Sequence, residues 1–184
     1  MVNFKPIVFA EGELVYTDGG ILAEYAWLLV VLPFVAALVI TFTGKYLPLK
    51  GAEVALTTIG VIFLYSAALM YLHITSGVVN EFFINVGSIG VFDIEFGWVV
   101  DGLSIMMYFV VGTVALLVFI YATNYMEGEI RYTFFFTSLT LFAGSMLVLV
   151  SSPTLIQILI GWELVGVCSC LLYTSDAADE GHGV

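Results

Sequence analysis

Five apolar stretches, each long enough to cross a bilayer, dominate this chain. They run from about Tyr25 to Phe42, Val54 to Leu72, Leu103 to Ala122, Thr133 to Val150 and Thr154 to Leu172. A spanning helix needs about 17–25 predominantly apolar residues. Lipid offers the backbone no hydrogen-bond partner, so each run must satisfy its own N–H and C=O groups as a helix. Charges, glycines or prolines bound every run, with Glu24 before the first and Gly44-Lys45 after it. Composition agrees: 61% of residues are hydrophobic and 10% charged, whereas soluble domains have about 45–50% and about 25%. The expected fold class is an all-α membrane protein. It has an external N-terminal segment over 1–24 and a bundle of about five transmembrane helices over 25–172.

The basic residues decide how such a bundle sits. Lys45 and Lys50 fall between the first two runs and Arg131 between the third and fourth, so all three lie on one side. Basic loops stay cytoplasmic, which puts the N-terminus and the 73–101 connection outside, with Lys5 against the trend. Glu11, Glu13, Asp18, Glu81, Asp93 and Glu95 also fall outside, while Glu127 and Glu129 sit beside Arg131. Acidic residues carry little topological weight. Lys45 and Lys50 are expected to snorkel to the headgroups, and Glu53 suits the positive end of the second helix. His73, Trp27, Trp98 and Tyr71 are expected at the interfaces. A net charge of −11 leaves no basic stripe for phosphates and excludes a nucleic acid partner. Cys168 and Cys170 point to different faces of a helix and cannot alone build a zinc or iron–sulfur site. No metal and no bound cofactor are expected. Met1–Ala10 lacks an apolar core long enough for a cleavable signal peptide.

Between the second and third runs the periodicity changes. Phe92, Ile94 and Phe96 alternate with Val91, Asp93 and Glu95, a period of two. Together with Phe82–Val86 they flank Gly87-Ser88-Ile89-Gly90, which predicts a β-hairpin over about 82–96 with its turn at those residues. An irregular loop is the competing reading. A lone hairpin is marginal in water, so this one is expected to pack on a helix bundle or a neighbouring subunit. Asp101 opens the third run, where a carboxylate accepts from free backbone N–H groups and suits the positive dipole end. Its expected role is structural, as a cap.

Glu163 breaks the fifth run, inside Ile160-Gly-Trp-Glu-Leu-Val-Gly166. A carboxylate near the centre of a membrane helix is disfavoured by several kcal/mol, about 2.5–3.5 for Asp on the mildest scale, and such residues usually serve a function. Packing specificity through a hydrogen bond is the plainer alternative. Trp162 beside it reads as packing.

Three strings follow one another at characteristic distances: Val99-Val-Asp-Gly-Leu-Ser-Ile-Met107, Tyr121-Ala-Thr-Asn-Tyr-Met-Glu-Gly-Glu129 and Gly161-Trp-Glu-Leu-Val-Gly-Val-Cys-Ser169. Together they resemble the family of subunit L of bacterial NADH-quinone oxidoreductase (respiratory complex I), called subunit 5 in mitochondria. The resemblance covers most of Tyr25 to Leu172. It implies part of an antiporter-like helix bundle in a bacterial or archaeal plasma membrane, partnered by the lipid bilayer and other membrane-arm subunits. It also implies a non-redox subunit of an enzyme that couples electron transfer from NADH to quinone to proton transport. NADH and quinone would be used by the whole complex, with no flavin or iron–sulfur cluster on this chain. In that family the glutamate of the motif, here Glu163, pairs with a lysine on a later helix and acts as an ion-pair switch in proton transfer. Gly161, Trp162, Gly166 and Asp101 would have structural roles. The chemistry is coherent, because a nearby ammonium favours a carboxylate's ionised form while apolar surroundings favour the protonated one.

The large subunit of a multisubunit cation/proton antiporter is the alternative, and a stand-alone membrane scaffold a third reading. Val165-Gly-Val-Cys168 favours the complex I family. After Leu172 the resemblance stops. Cys170 stands where an aromatic is usual, and Tyr173–Val184 is polar and acidic instead of aromatic-rich. Residues 173–184 are therefore expected to be non-native, resembling translated adapter sequence. The subunit is expected to be several times longer, with the lysine partner beyond this C-terminus and the fragment inactive alone. His182, Asp176, Asp179 and Glu180 are given no metal site.

Overall fold

Lipid-length apolar runs leave the backbone one economical solution, and each run is a helix in the computed structural model, which describes residues 8–10, 13–15, 20–77, 80–89, 92–126, 128 and 131–180. Along the chain come β1 (Val8–Ala10), β2 (Glu13–Val15), α1 (Gly20–Glu24), α2 (Trp27–Thr43), α3 (Ala52–Ser76), β3 (Asn80–Ile89), β4 (Phe92–Val100), α4 (Gly102–Tyr125), α5 (Tyr132–Ser151) and α6 (Leu155–Glu180). Five helices are long and apolar enough to span: α2 with the 3-10 turn after it, α3, α4, α5 and the Leu155–Thr174 part of α6. The chain is an integral membrane protein.

The structure adds to expectation in one place and departs from it in two. Residues 1–24, the N-terminal segment, hold the antiparallel pair β1–β2 and the short helix α1. The aromatic connection is an antiparallel two-stranded sheet running wider than 82–96, with Asn80 opposite Val100 and Ile89 opposite Phe92. Gly87, Ser88 and Ile89, expected in the turn, belong to β3. The register shifts between Asn85 and Gly87, so this glycine marks a bulge, one of the two jobs glycine does in strands. Residues 90–91, where the strands connect, lie outside the described residues. Finally, α6 continues past Leu172 to Glu180. Thr174–Glu180 contains neither Gly nor Pro, so nothing local ends the helix. Residues 181–184 lie outside the described residues.

With lipid tails as apolar as leucine, helices associate by close packing, and small residues let backbones approach. Three crossings here do so at a glycine. A Cβ on Gly112 of α4 would lie 3.3 Å from Phe63 Cα of α3. On Gly144 of α5 it would lie 3.1 Å from Pro33 Cγ of α2, and on Gly161 of α6 3.0 Å from Leu149 Cα of α5. Helix α5 accordingly packs between α2 and α6, while α3 packs on α4 and α2. Ile59, Ile62, Ile105, Phe119, Phe136 and Leu147 fill the interior.

The bundle has two distinct ends. At one, the turn after α2 lies against the start of α5, where Thr133 Oγ1 donates to the Lys50 carbonyl at 3.0 Å. Lys50 and Gly51 both have positive φ, at 48° and 97°; a Cβ on Gly51 would also stand 2.7 Å from Ile40 Cγ2, so only glycine fits. Glu53 Oε2 accepts from Leu49 N–H at 2.8 Å in this turn. At the other end, Trp27 and Trp98 pack with ring centroids 6.4 Å apart, and the His73 ring lies against Gly102.

Candidate functional site: the Glu163 face of the last helix

Pro153 cannot continue α5, and the chain restarts at Leu155. Thr154 marks the restart: its carbonyl accepts from Ile158 N–H at 3.0 Å, and its hydroxyl accepts from Gln157 N–H at 3.4 Å. From there α6 lays one stripe on the bundle. Gln157, Gly161 and Cys168 are buried, with Leu164 and Leu172 half-buried between and beyond them. Leu149 of α5 sits directly on Gly161, and Ser145 Oγ and Cys168 Sγ stand 3.8 Å apart.

Glu163 lies two residues past Gly161, about 200° further round a helix of about 3.6 residues per turn. It therefore faces away from α5, and it is exposed. Trp162 is 67% exposed, and Gly166 is exposed with nothing within 4 Å of an added Cβ. The motif thus divides: Gly161 makes the helix contact, whereas Trp162, Glu163 and Gly166 occupy the uncovered side. Among the described residues, no hydrogen bond or ion pair reaches the Glu163 carboxylate.

Asp101 caps α4, its Oδ1 accepting from Ser104 N–H at 2.7 Å, and stands 62 residues before Glu163 in sequence. The cysteines part as their spacing dictates, Cys168 buried and Cys170 exposed. Among the described residues no group of three or more His, Cys, Asp or Glu is placed to hold a metal ion.

Sequence reasoning missed Gln157. Its side chain is 7% exposed, and its amide meets both backbone groups of Gly97 in β4, at 3.0 and 2.8 Å. The signal was available: an amide inside Leu155-Ile-Gln-Ile-Leu159 needs partners when buried.

The sequence pattern of the family described as NADH-Ubiquinone oxidoreductase (complex I), chain 5 N-terminus, matches residues 84–136. NAD(P)H-quinone oxidoreductase chain 5 of Picosynechococcus sp. is 40% identical over 159 residues, covering 82% of this chain and 24% of the relative. NAD(P)H-quinone oxidoreductase subunit 5, organellar chromatophore 1, of Paulinella chromatophora is 36% identical over 81% of this chain and 23% of its own length. The chloroplastic subunit 5 of Nuphar advena is 33% identical over 81% and 21%. The chain therefore spans about a quarter of the length of these relatives, 24% of the first. Its matched residues run through the β3–β4 sheet and on into the helices after it, and by them the chain belongs to the complex I chain 5 family, in that family's N-terminal region.

Proposed function

We propose that this chain is the N-terminal part of a proton-translocating membrane subunit of an NAD(P)H-quinone oxidoreductase, and that Glu163 is its proton-transfer group. The observation that carries the reading is the placement of Glu163 in a spanning helix, on the face turned away from α5. Facing hydrocarbon, an ionised carboxylate is disfavoured by several kcal/mol. A further helix bearing a cation would relieve that penalty. Such a cation, approaching or withdrawing, changes the carboxylate's proton affinity without moving α6. The names of the relatives support the redox complex over the cation/proton antiporter. Neighbouring membrane subunits are the implied partners, and NAD(P)H and quinone are handled elsewhere in the complex. The basic end carrying Lys45, Lys50 and Arg131 faces the cytoplasm in this reading, with the β3–β4 sheet outside. Residues 173–184 remain a non-native tail in it.

The test is Glu163→Gln in the full-length subunit, assembled with its complex in sealed vesicles. Glutamine keeps the size and removes the titratable proton. Proton translocation per electron is expected to fall at least several-fold. Pumping equal to the unaltered complex would refute the role.

A further inference from the structure

Gln157 holds the helix that carries Glu163 to a strand. Gly97 N–H donates to Gln157 Oε1 at 3.0 Å, and Gln157 Nε2 donates to the Gly97 carbonyl at 2.8 Å. One side-chain amide thus answers both backbone groups of one residue, as a neighbouring strand does in an antiparallel ladder. Gly97 lies opposite Phe83 of β3. With the N–H and C=O of Gly97 turned to Gln157, that pair is a non-hydrogen-bonded one, and Gln157 covers the outer edge of β4 at this residue. Both partners are buried, so each is orphaned if the other is lost. The contact is directional. By contrast, α6 meets α5 through apolar side chains, the Gly161 backbone approach and the long Ser145–Cys168 contact, with no short hydrogen bond among them.

We propose that Gln157 is a positioning residue for Glu163: by pinning α6 to β4 it sets the height and the facing of the carboxylate. The two residues are six apart on one helix, about 9 Å along its axis at about 1.5 Å per residue. Neither side chain touches the other, so Gln157 acts only through the rigid stretch of helix between them. The inference rests on the proton-transfer role proposed for Glu163.

The test compares Gln157→Leu, Gln157→Glu and Glu163→Gln in the full-length subunit within the assembled complex, reconstituted in vesicles. Electron transfer to quinone, protons moved per electron and the pH profile of pumping are measured on each. Gln157→Leu removes both hydrogen bonds. It is expected to leave electron transfer within two-fold while at least halving protons per electron and displacing the pH profile. Gln157→Glu keeps an acceptor for Gly97 N–H and is expected to fall between. A Gln157→Leu complex with wild-type stoichiometry and profile overturns the inference, as does one that is merely less abundant with both unchanged. If Gln157→Leu does not assemble, Gln157→Glu decides: a displaced profile supports the proposal and an unchanged one overturns it. Glu163→Gln separates the two claims. If it stops pumping while the Gln157 variants pump normally, only the positioning role falls; if it pumps normally, the Glu163 role falls and takes the positioning role with it.

Discussion

Tyr108 places a hydroxyl in the interior of the bundle, fully buried and, among the described residues, without a hydrogen-bond partner. Ser151 stands beside it, but the serine hydroxyl turns to the Leu147 and Val148 carbonyls of its own helix, donating at 2.8 and 3.1 Å, and is not placed to accept from the tyrosine. An unpaired buried polar group is destabilising by about 1–3 kcal/mol, whereas deleting it leaves a well-packed ring. Tyr108→Phe is therefore expected to hold or raise stability, by up to about 1 kcal/mol, measured as thermal unfolding in detergent. A loss of that size would mean that the hydroxyl has a partner in the membrane. Gln157 is the opposite case, a buried amide with both ends satisfied. The surroundings of neither residue were legible in the sequence, and for one reason. A polar atom in an apolar run is visible, but what it meets depends on helix rotation and on segments far along the chain. Glu163 stands out in the sequence as a candidate because its charge, wherever it points, needs an explanation in hydrocarbon.

At the scale of elements the five spanning helices were legible to within about four residues, the far end of α6 excepted, because lipid forces every apolar run to satisfy its own backbone. The strand bounds were less so. Gly87 looks like a turn residue, and only the pairing of Asn85 with Glu95 and Gly87 with Ile94 reveals a bulge. The motif glycines pose the same problem. Gly161 and Gly166 read alike in sequence, yet one packs against the Leu149 backbone and the other meets nothing within 4 Å. Alanine gains up to about 1 kcal/mol of helix propensity over glycine at either site. At Gly161 that gain is opposed by a Cβ 3.0 Å from Leu149 Cα and 3.1 Å from its nitrogen, backbone atoms that move only if α5 and α6 separate, at about 1–3 kcal/mol. Gly161→Ala is expected to lower the unfolding temperature of this chain in detergent, and Gly166→Ala to leave it unchanged or raise it. Equal effects would contradict the rotation of α6 described here.

For the whole molecule, the separation of its two ends is the property with the widest consequence. Lys50 and the start of α5 are tied at one end by the Thr133 hydroxyl. The other gathers Trp27, Trp98, His73, Gly102 and the Gln157–Gly97 pair. Helix α3 runs between them with 25 residues, about 37 Å at about 1.5 Å per residue, longer than a hydrocarbon core of about 30 Å. Both of its ends then reach the interfaces at the usual tilt of about 20°. By the positive-inside bias, the basic residues at the Lys50 end are expected to direct that end to the cytoplasm. Single cysteines at Lys50 and at Thr75, both exposed, test this once Cys168 and Cys170 are replaced by alanine. In right-side-out vesicles a membrane-impermeant maleimide is expected to label Thr75→Cys at once and Lys50→Cys only after permeabilisation. Inverted vesicles should exchange the two. Labelling with the sides reversed would overturn the orientation and place the β3–β4 sheet in the cytoplasm. Labelling of both from one side would deny that α3 crosses at all, and with it the alternation that sets Glu163 within a spanning helix.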